Sequence, residues 1–430
     1  MSTEAIPRKN VGWTFAITAV VLFMAALDNL VVTTALPVIR AELDASLSEL
    51  EWIVNAYTLT FAVLLLTGAA LGDRFGRRRV FVAGIAIFTL GSALAAVSNS
   101  TEMLIFARAL QGVGGAVITP LTLTILSAAV SPERRALALG AWGGVGGLAI
   151  AIGPLVGGAI AEGLSWQWIF WINVPIGIVA AILATFRLTE SSGPDRKLDL
   201  AGLVLASVGL VGIVWGVIHA NDLGWGSGTV LGTIGGGIAL LAAFLWWEAR
   251  SAAPMLPLRF FRNRTFFFAN AASFLMFFGV FGAVFLMTQF LQFVQGYSPF
   301  EAGLRTLPWT AMPAIVAPIA GALAGRIGGR PLLVAGLALM ALGLGWFTAV
   351  ATPDVAYSAQ VPALVLAGIG MGLFFAPVAA VVLSAVRPEE EGKASGATNA
   401  IRELGGVFGV AVLAAVFAGQ GSYVSGAAFV

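Results

Sequence analysis

Long apolar runs separated by short polar turns make up nearly the whole chain. Crossing the hydrocarbon of a bilayer takes about 20 apolar residues in a helix. Windows of that size fall at 12–37, 49–70, 79–98, 103–129, 136–161 and 168–189. A polar linker, Glu190 to Lys197, precedes two more at 198–219 and 227–247, and five follow at 265–294, 300–324, 331–351, 361–385 and 397–419. The pattern predicts an all-α polytopic membrane protein of roughly thirteen helices.

Charge orients these helices. The turn Gly72-Asp73-Arg74-Phe75-Gly76-Arg77-Arg78-Arg79 concentrates four arginines within six residues, and cationic loops are retained on the cytoplasmic side. With the N-terminus also cytoplasmic, alternate connections carry Arg134 and Arg135; Arg187, Arg196 and Lys197; Arg250, Arg259, Arg262 and Arg264; Arg326 and Arg330; and Arg387 and Lys393. The intervening outer connections hold little beyond Arg40. Arg250 to Arg264 interleaves arginines with Leu256, Leu258, Phe260 and Phe261, which predicts an amphipathic segment on the inner membrane surface, with a plain loop as the alternative.

Composition narrows the function classes. Of 430 residues 59% are hydrophobic and 10% charged, with a mean hydropathy of +0.95. Soluble domains carry about 25% charged residues. A net charge of only +2 gives no footing for nucleic-acid binding despite a pI near 9.2. The absence of cysteine excludes disulfides, iron–sulfur clusters and thiol catalysis. One histidine, no metal-ligand cluster and no G-x-S-x-G leave an intramembrane enzyme unsupported, and no cofactor is expected. Arg8 and Lys9 precede the first apolar run without a small-residue cleavage site, so the N-terminus reads as uncleaved. The preference for arginine over lysine suggests a GC-rich bacterial gene.

The chain repeats itself. Ala322 to Arg330 aligns with Ala70 to Arg78 at an offset of about 252 residues, though the copy lacks the aspartate. The same offset carries Gly153-Pro154-Leu155-Val156-Gly157-Gly158 onto the glycine-rich Gly405 to Val410. The expected organisation is a six-helix bundle over 1–190, a linker with two extra helices and a basic inner loop over 191–264, and a second bundle over 265–430. In that scheme the second bundle holds five of six helices, and a fourteenth is expected beyond Val430.

Four stretches resemble the major facilitator superfamily, and within it the drug:proton antiporters with 14 helices. Gly72 to Arg78 is similar to the signature loop between helices two and three. Arg108-Ala-Leu-Gln111-Gly112-Val-Gly114 is similar to the helix-four motif, and Gly153-Pro154-Leu-Val-Gly157-Gly158 to the helix-five motif of the exporters. Leu27-Asp28-Asn29 through Thr33-Thr34-Ala35-Leu36-Pro37 resembles the helix-one motif of the 14-helix group. Ala69 departs from the signature, which usually opens on glycine. The resemblance implies a monomeric, proton-coupled exporter of amphipathic drugs or antibiotics in the bacterial cytoplasmic membrane. Its partners are then small molecules, protons and the lipid bilayer. A dedicated exporter of one natural product is the alternative, and a non-transporting sensor or scramblase the reading from another class.

Candidate residues follow from depth and chemistry. Asp28 lies about 16 residues into the first helix, roughly 24 Å from its start. A carboxylate there is costly and usually faces a cavity or proton pathway; an acid held in an ion pair is the alternative. Arg108 enters helix four from the outer side and reaches roughly the same depth, about 10 Å down. The resemblance implies a part for Arg108 in proton transfer, and for Glu403 in coupling or substrate charge. Placed about six residues into its helix, Glu403 is equally explained by the helix dipole. Asn55, Tyr57, Gln289 and Gln292, with Asp28, are candidates for a substrate cavity. Gly72, Asp73, Arg74, Gly76, Arg77 and Arg78 are expected to form a conformational latch between the halves, with turn capping as the alternative for Asp73. Gly153, Pro154, Gly157 and Gly158 are expected either to hinge helix five or to let it pack closely. His219 is expected at the membrane interface.

Overall fold

The computed structural model describes residues 11–419 apart from 193–197, 253 and 388–389. Arg8, Lys9, Arg196 and Lys197, and the side chains of Arg134 and Arg135, lie outside the described residues. Among the described residues thirteen long helices account for the fold and no strand occurs. They are α1 (Val11–Leu43), α2 (Leu47–Phe75), α3 (Arg77–Ala96), α4 (Thr101–Ala129), α5 (Pro132–Gly163) and α6 (Trp168–Arg187). Next come α7 (Leu200–Ile218), α8 (Gly228–Arg250), α9 (Arg264–Val294), α10 (Pro299–Ile327), α11 (Gly329–Val350), α12 (Tyr357–Leu383) and α13 (Glu391–Gly419). Twelve are long and apolar enough to cross a membrane; α5, a continuous helix of 32 residues, is the thirteenth.

Several boundaries follow from local chemistry. Ser46 caps α2, and Glu49 returns the favour to the Ser46 backbone N–H. Ser298 and Glu301 do the same for α10. The α2–α3 junction is one residue, Gly76, at φ 102°. The α10–α11 junction is Gly328 at φ 82°. These glycines stand at equivalent places in the two copies of the repeat, and each supplies a backbone conformation that other residues rarely adopt. Helix α9 ends in a π-helical turn, Phe290–Val294, and α10 is interrupted at Ala311 between Pro308 and Pro313.

The buried core falls into several clusters. One is built from α9 to α13, including Phe266, Phe290, Trp309 and Phe374. Two others draw mainly on α1 to α6, around Leu36, Trp166 and Phe170 and around Phe81, Phe88 and Ile118. The helix pair α7 and α8 packs together through Gly209 and Gly237. It is fixed to the bundle by Leu210, Val214 and Val217 against Leu59, Val63, Val407 and Ala411.

One expectation about elements changes. Helix α13 begins at Glu391, six residues before the start read from apolar character, because its first turns are polar yet helical. Glu403 therefore stands twelve residues in, about 18 Å along the helix, at mid-depth. Part of the basic stretch before α9, expected as an amphipathic segment or a plain loop, is regular. It forms a 3₁₀ turn, Leu258–Arg262, whose Phe260 is buried against Phe266 while Arg259 pairs with Glu390.

Candidate functional site

Asp28 and Arg108 meet. Arg108 Nη1 lies 2.5 Å from Asp28 Oδ2, with both side chains fully enclosed. Asp28 Oδ1 also accepts from Gln111 Nε2 at 3.0 Å and Asn173 Nδ2 at 2.7 Å. Arg108 donates through Nε to the Ile53 carbonyl at 3.2 Å and through Nη1 to Gln111 Oε1 at 2.9 Å. Its guanidinium sits 4.4 Å from the Tyr57 ring centre, and Gln111 Nε2 extends the network to Ser92 Oγ. The helix-four spacing explains part of this: three residues apart, Arg108 and Gln111 share one face of α4. All of these groups come from α1, α2, α3, α4 and α6. Gln111 lies within the helix-four motif, whereas no motif in the sequence marks Ser92.

Asp28 does not line the central cavity; Asn29 does. One residue turns an α-helix by about 100°, which directs Asp28 at α4 and its neighbour inward. The cavity encloses about 230 Å³ between the two sets of helices. Its wall includes Tyr57, Phe277, Phe281, Trp309, Phe375 and Glu403. Phe277 and Phe281 stack with ring centres 5.8 Å apart, and Phe375 tilts against Phe277 at 5.6 Å. Arg402 lies over Phe277 at 5.6 Å, leaving Glu403 the one carboxylate in the described lining.

The amides read as cavity residues lie elsewhere, Tyr57 alone of that group lining the space. Asn55, two residues before Tyr57, points to another side of α2 and is fully buried. Gln289 is equally buried, one residue before the π-helical turn. Gln292, within that turn, donates from Nε2 to the Thr34 carbonyl at 2.9 Å and so ties α9 to α1.

The basic turn is strapped to the segment after α6. Asp73 pairs with Arg77 one turn on, at 2.9 Å. Arg77 N–H donates to the Ser191 carbonyl, and Arg78 N–H to Glu190 Oε1 at 2.9 Å. Arg78 and Arg79 each lie 3.8 Å from Glu190 Oε2, while Arg74 covers the Phe75 ring. Gly72 allows close approach of Leu121. These contacts stay within the first 191 residues, and Glu190, read as the start of a linker, is the carboxylate they share.

At the helix-five motif, close packing is visible. A Cβ on Gly157 would lie 2.8 Å from the Val31 carbonyl, and one on Gly158 would lie 2.2 Å from that of Pro299. Gly153 faces Leu30, and Pro154 reaches the cavity while its carbonyl lies against Gly303 of α10. His219 follows α7 and stacks on Trp215 at 4.3 Å. Among the described residues no group of His, Cys, Asp and Glu could hold a metal.

Residues 18–410 match the family described as the Major Facilitator Superfamily. The chain belongs to the Major Facilitator Superfamily. Its relatives in that superfamily include the multidrug resistance protein Stp of Mycobacterium tuberculosis, 36% identical over 407 residues, which cover 94% of this chain and 75% of that protein. The tetracenomycin C resistance and export protein of Streptomyces glaucescens is 35% identical over 421 residues, covering 97% and 78%. The fold is similar to the xylose transporter XylE of E. coli in a partially occluded inward-open conformation, with a TM-score of 0.64, 13% identity and coverage of 98% and 94%. This member of the superfamily is accordingly a multi-pass membrane protein.

Proposed function

We propose that the protein exports amphipathic aromatic compounds, above all cationic drugs or antibiotics, in exchange for protons. The observation that carries this reading is the mid-depth cavity, whose wall joins six aromatic side chains and several aliphatic ones to Glu403 and a few neutral polar groups. Aromatic faces attract cations and flat rings alike. A carboxylate among them can hold either a proton or a cationic substrate, and competition at that one group makes exchange obligatory. The names of relatives, a multidrug resistance protein and an antibiotic export protein, support the same class of cargo.

In this reading the bundles at 1–190 and 265–430 rock about the cavity to open it alternately to each side. The protein lies in the bacterial cytoplasmic membrane with its N-terminus and the Gly72 to Arg79 turn inside. Asp28 and Arg108 form the second part of the coupling machinery. Their pair is closed off from the cavity here, and Asp28 exchanges protons only when rocking separates it from Arg108. The Asp73 and Arg77 turn, anchored at Glu190, serves as a latch that moves with the first bundle.

Proton release on substrate binding tests this. Adding tetraphenylphosphonium to the purified protein in weakly buffered solution should release protons, and Glu403→Gln should abolish that release while leaving the protein folded. Release that is undiminished in Glu403→Gln would contradict the assignment. A second reading, export of one dedicated natural product, is favoured by the relative named for tetracenomycin C alone. It predicts that only one of a panel of structurally unrelated aromatic cations displaces protons.

A further inference from the structure

The Arg108 guanidinium is held from two directions. Along its edge it donates to Asp28, Gln111 and the Ile53 carbonyl, while Nη2 has no hydrogen-bond partner among the described residues. On its face it meets rings, 4.4 Å from the centre of Tyr57 and 5.9 Å from that of Phe170. A guanidinium within about 6 Å of a ring centre is drawn to the negative face of the π-system, most strongly where water is excluded. Arg108 is fully buried, so the nearer contact, with Tyr57, belongs to the strong end of that scale.

Close packing sets the Tyr57 ring in place. A Cβ on Gly112 of α4 would run into the Tyr57 carbonyl, and one on Gly115 would lie 3.0 Å from Tyr57 Oη. These two glycines let α2 approach α4 closely enough to bring the ring onto Arg108. The Tyr57 hydroxyl donates to the Ala25 carbonyl at 3.4 Å, one turn before Asp28 on α1. Phe61, one turn further along α2, stacks beside Tyr57 at 5.9 Å. Tyr57 and Phe61 both belong to the cavity wall, whereas Asp28 and Arg108 do not. Tyr57 is thus the wall side chain that bears on the guanidinium.

We propose that Tyr57 is a positioning residue for proton coupling: its ring face keeps Arg108 on Asp28, and its place in the wall keeps the pair closed to the cavity until the bundles rock. The ring is essential in this scheme and the hydroxyl is not. Without the ring Arg108 keeps its hydrogen bonds but loses the surface that holds its plane, and Asp28 opens more often. The inference rests on Asp28 and Arg108 being part of the coupling machinery, and it adds the group that holds them shut.

Dicyclohexylcarbodiimide modifies a carboxyl only when that group is protonated and within reach. Its rate at Asp28, read by peptide mass spectrometry on the cargo-free protein in lipid nanodiscs, therefore reports how often the pair parts. Phenylalanine at position 57, then singly, doubly and triply fluorinated phenylalanine, keeps the ring's shape while draining its negative face. The rate should stay within about twofold in Tyr57→Phe and climb with each fluorine added. In Tyr57→Leu, which has no ring, it should rise about tenfold or more, the worth of a desolvated cation–π contact. A flat rate across the fluorinated series would overturn the inference whether or not the leucine variant folds. A rise in Tyr57→Phe equal to that in Tyr57→Leu would do the same, because it would assign the effect to the hydroxyl. The coupling reading is tested apart, by gradient-driven transport in Asp28→Asn. Undiminished transport there would sink that reading, and the coupling role of Tyr57 with it, even where the fluorine series climbs.

Discussion

Asp28 and Asn29 are adjacent in sequence and have opposite surroundings. Asp28 is clamped by Arg108, Gln111 and Asn173, whereas Asn29 belongs to the cavity wall. The depth of Asp28 and Arg108 was legible in the sequence, because both count from predictable helix ends. Their direction was not: α1 is apolar on every side, so no polar stripe marks the face that meets α4. Removing one member of a buried ion pair strands the other in a medium that solvates it poorly, at a cost of about 3–5 kcal/mol. Arg108→Met should therefore lower the thermal unfolding midpoint sharply. The double variant Asp28→Leu with Arg108→Met should be markedly more stable than the sum of the single losses, because it leaves no charge unpaired. Additive losses in that thermal-shift cycle would mean that the pair does not function as a unit.

At the scale of elements, the one-residue junctions show how closely the two copies correspond and where they part. Both Gly76 and Gly328 hold positive φ. A Cβ on Gly76 would also lie 2.9 Å from the Glu190 carboxyl, whereas one on Gly328 meets nothing within 4 Å. Each alanine carries the backbone cost, about 1–3 kcal/mol. Gly76→Ala should accordingly destabilise the protein more than Gly328→Ala, measured as the difference in unfolding midpoint; the reverse order would argue against the strap at Glu190. The 3₁₀ turn at Leu258–Arg262 makes a second prediction. Arg387 hydrogen-bonds Glu390 and, with the charge of Arg259, holds its carboxyl below the ordinary value of 4.5. A lowered value in the folded state means the contact is complete above pH 4.5 and is lost as pH falls through the lowered value. Protection of 258–262 from hydrogen exchange, taken relative to the unstructured rate at each pH, should hold at neutral pH and fall only in that acid range, or at neutral pH in Glu390→Gln. The junctions were visible in the sequence as a repeated R-x-G-x-R pattern, Arg74 to Arg78 and Arg326 to Arg330. The turn was not, since its anchoring depends on a carboxylate more than 120 residues away.

Across the whole molecule, the sequence located the helices and the basic loops, and with them the superfamily. It did not show where α7 and α8 dock, because a helix surface facing lipid is as apolar as one facing protein. Nor did it show that the two halves meet closely where α5 crosses α10. There Gly158 lies against Pro299 and Gly303 against Pro154, and Gln292 bonds to Thr34 nearby in the same pair of bundles. A large side chain cannot enter such a crossing, so Gly158→Leu should force the two bundles apart on the face opposite the arginine-rich turn. The natural chain has no cysteine, so a single Thr34→Cys reports without background. Its reaction with a membrane-impermeant maleimide should be faster when Gly158→Leu is added. An unchanged rate would show that this crossing does not close that face.

Proton-driven transport by the purified protein remains the decisive observation. In proteoliposomes with an imposed pH gradient, an aromatic cation should move against the proton flow, and dissipating the gradient should stop it. Exchange of one monovalent cation for one proton moves no net charge, so membrane potential should have little effect on the rate. Glu403→Gln should retain the fold and lose the response to the gradient. Gradient-driven transport that persists undiminished in Glu403→Gln, or transport by the wild type that ignores the gradient, would contradict proton exchange at the cavity.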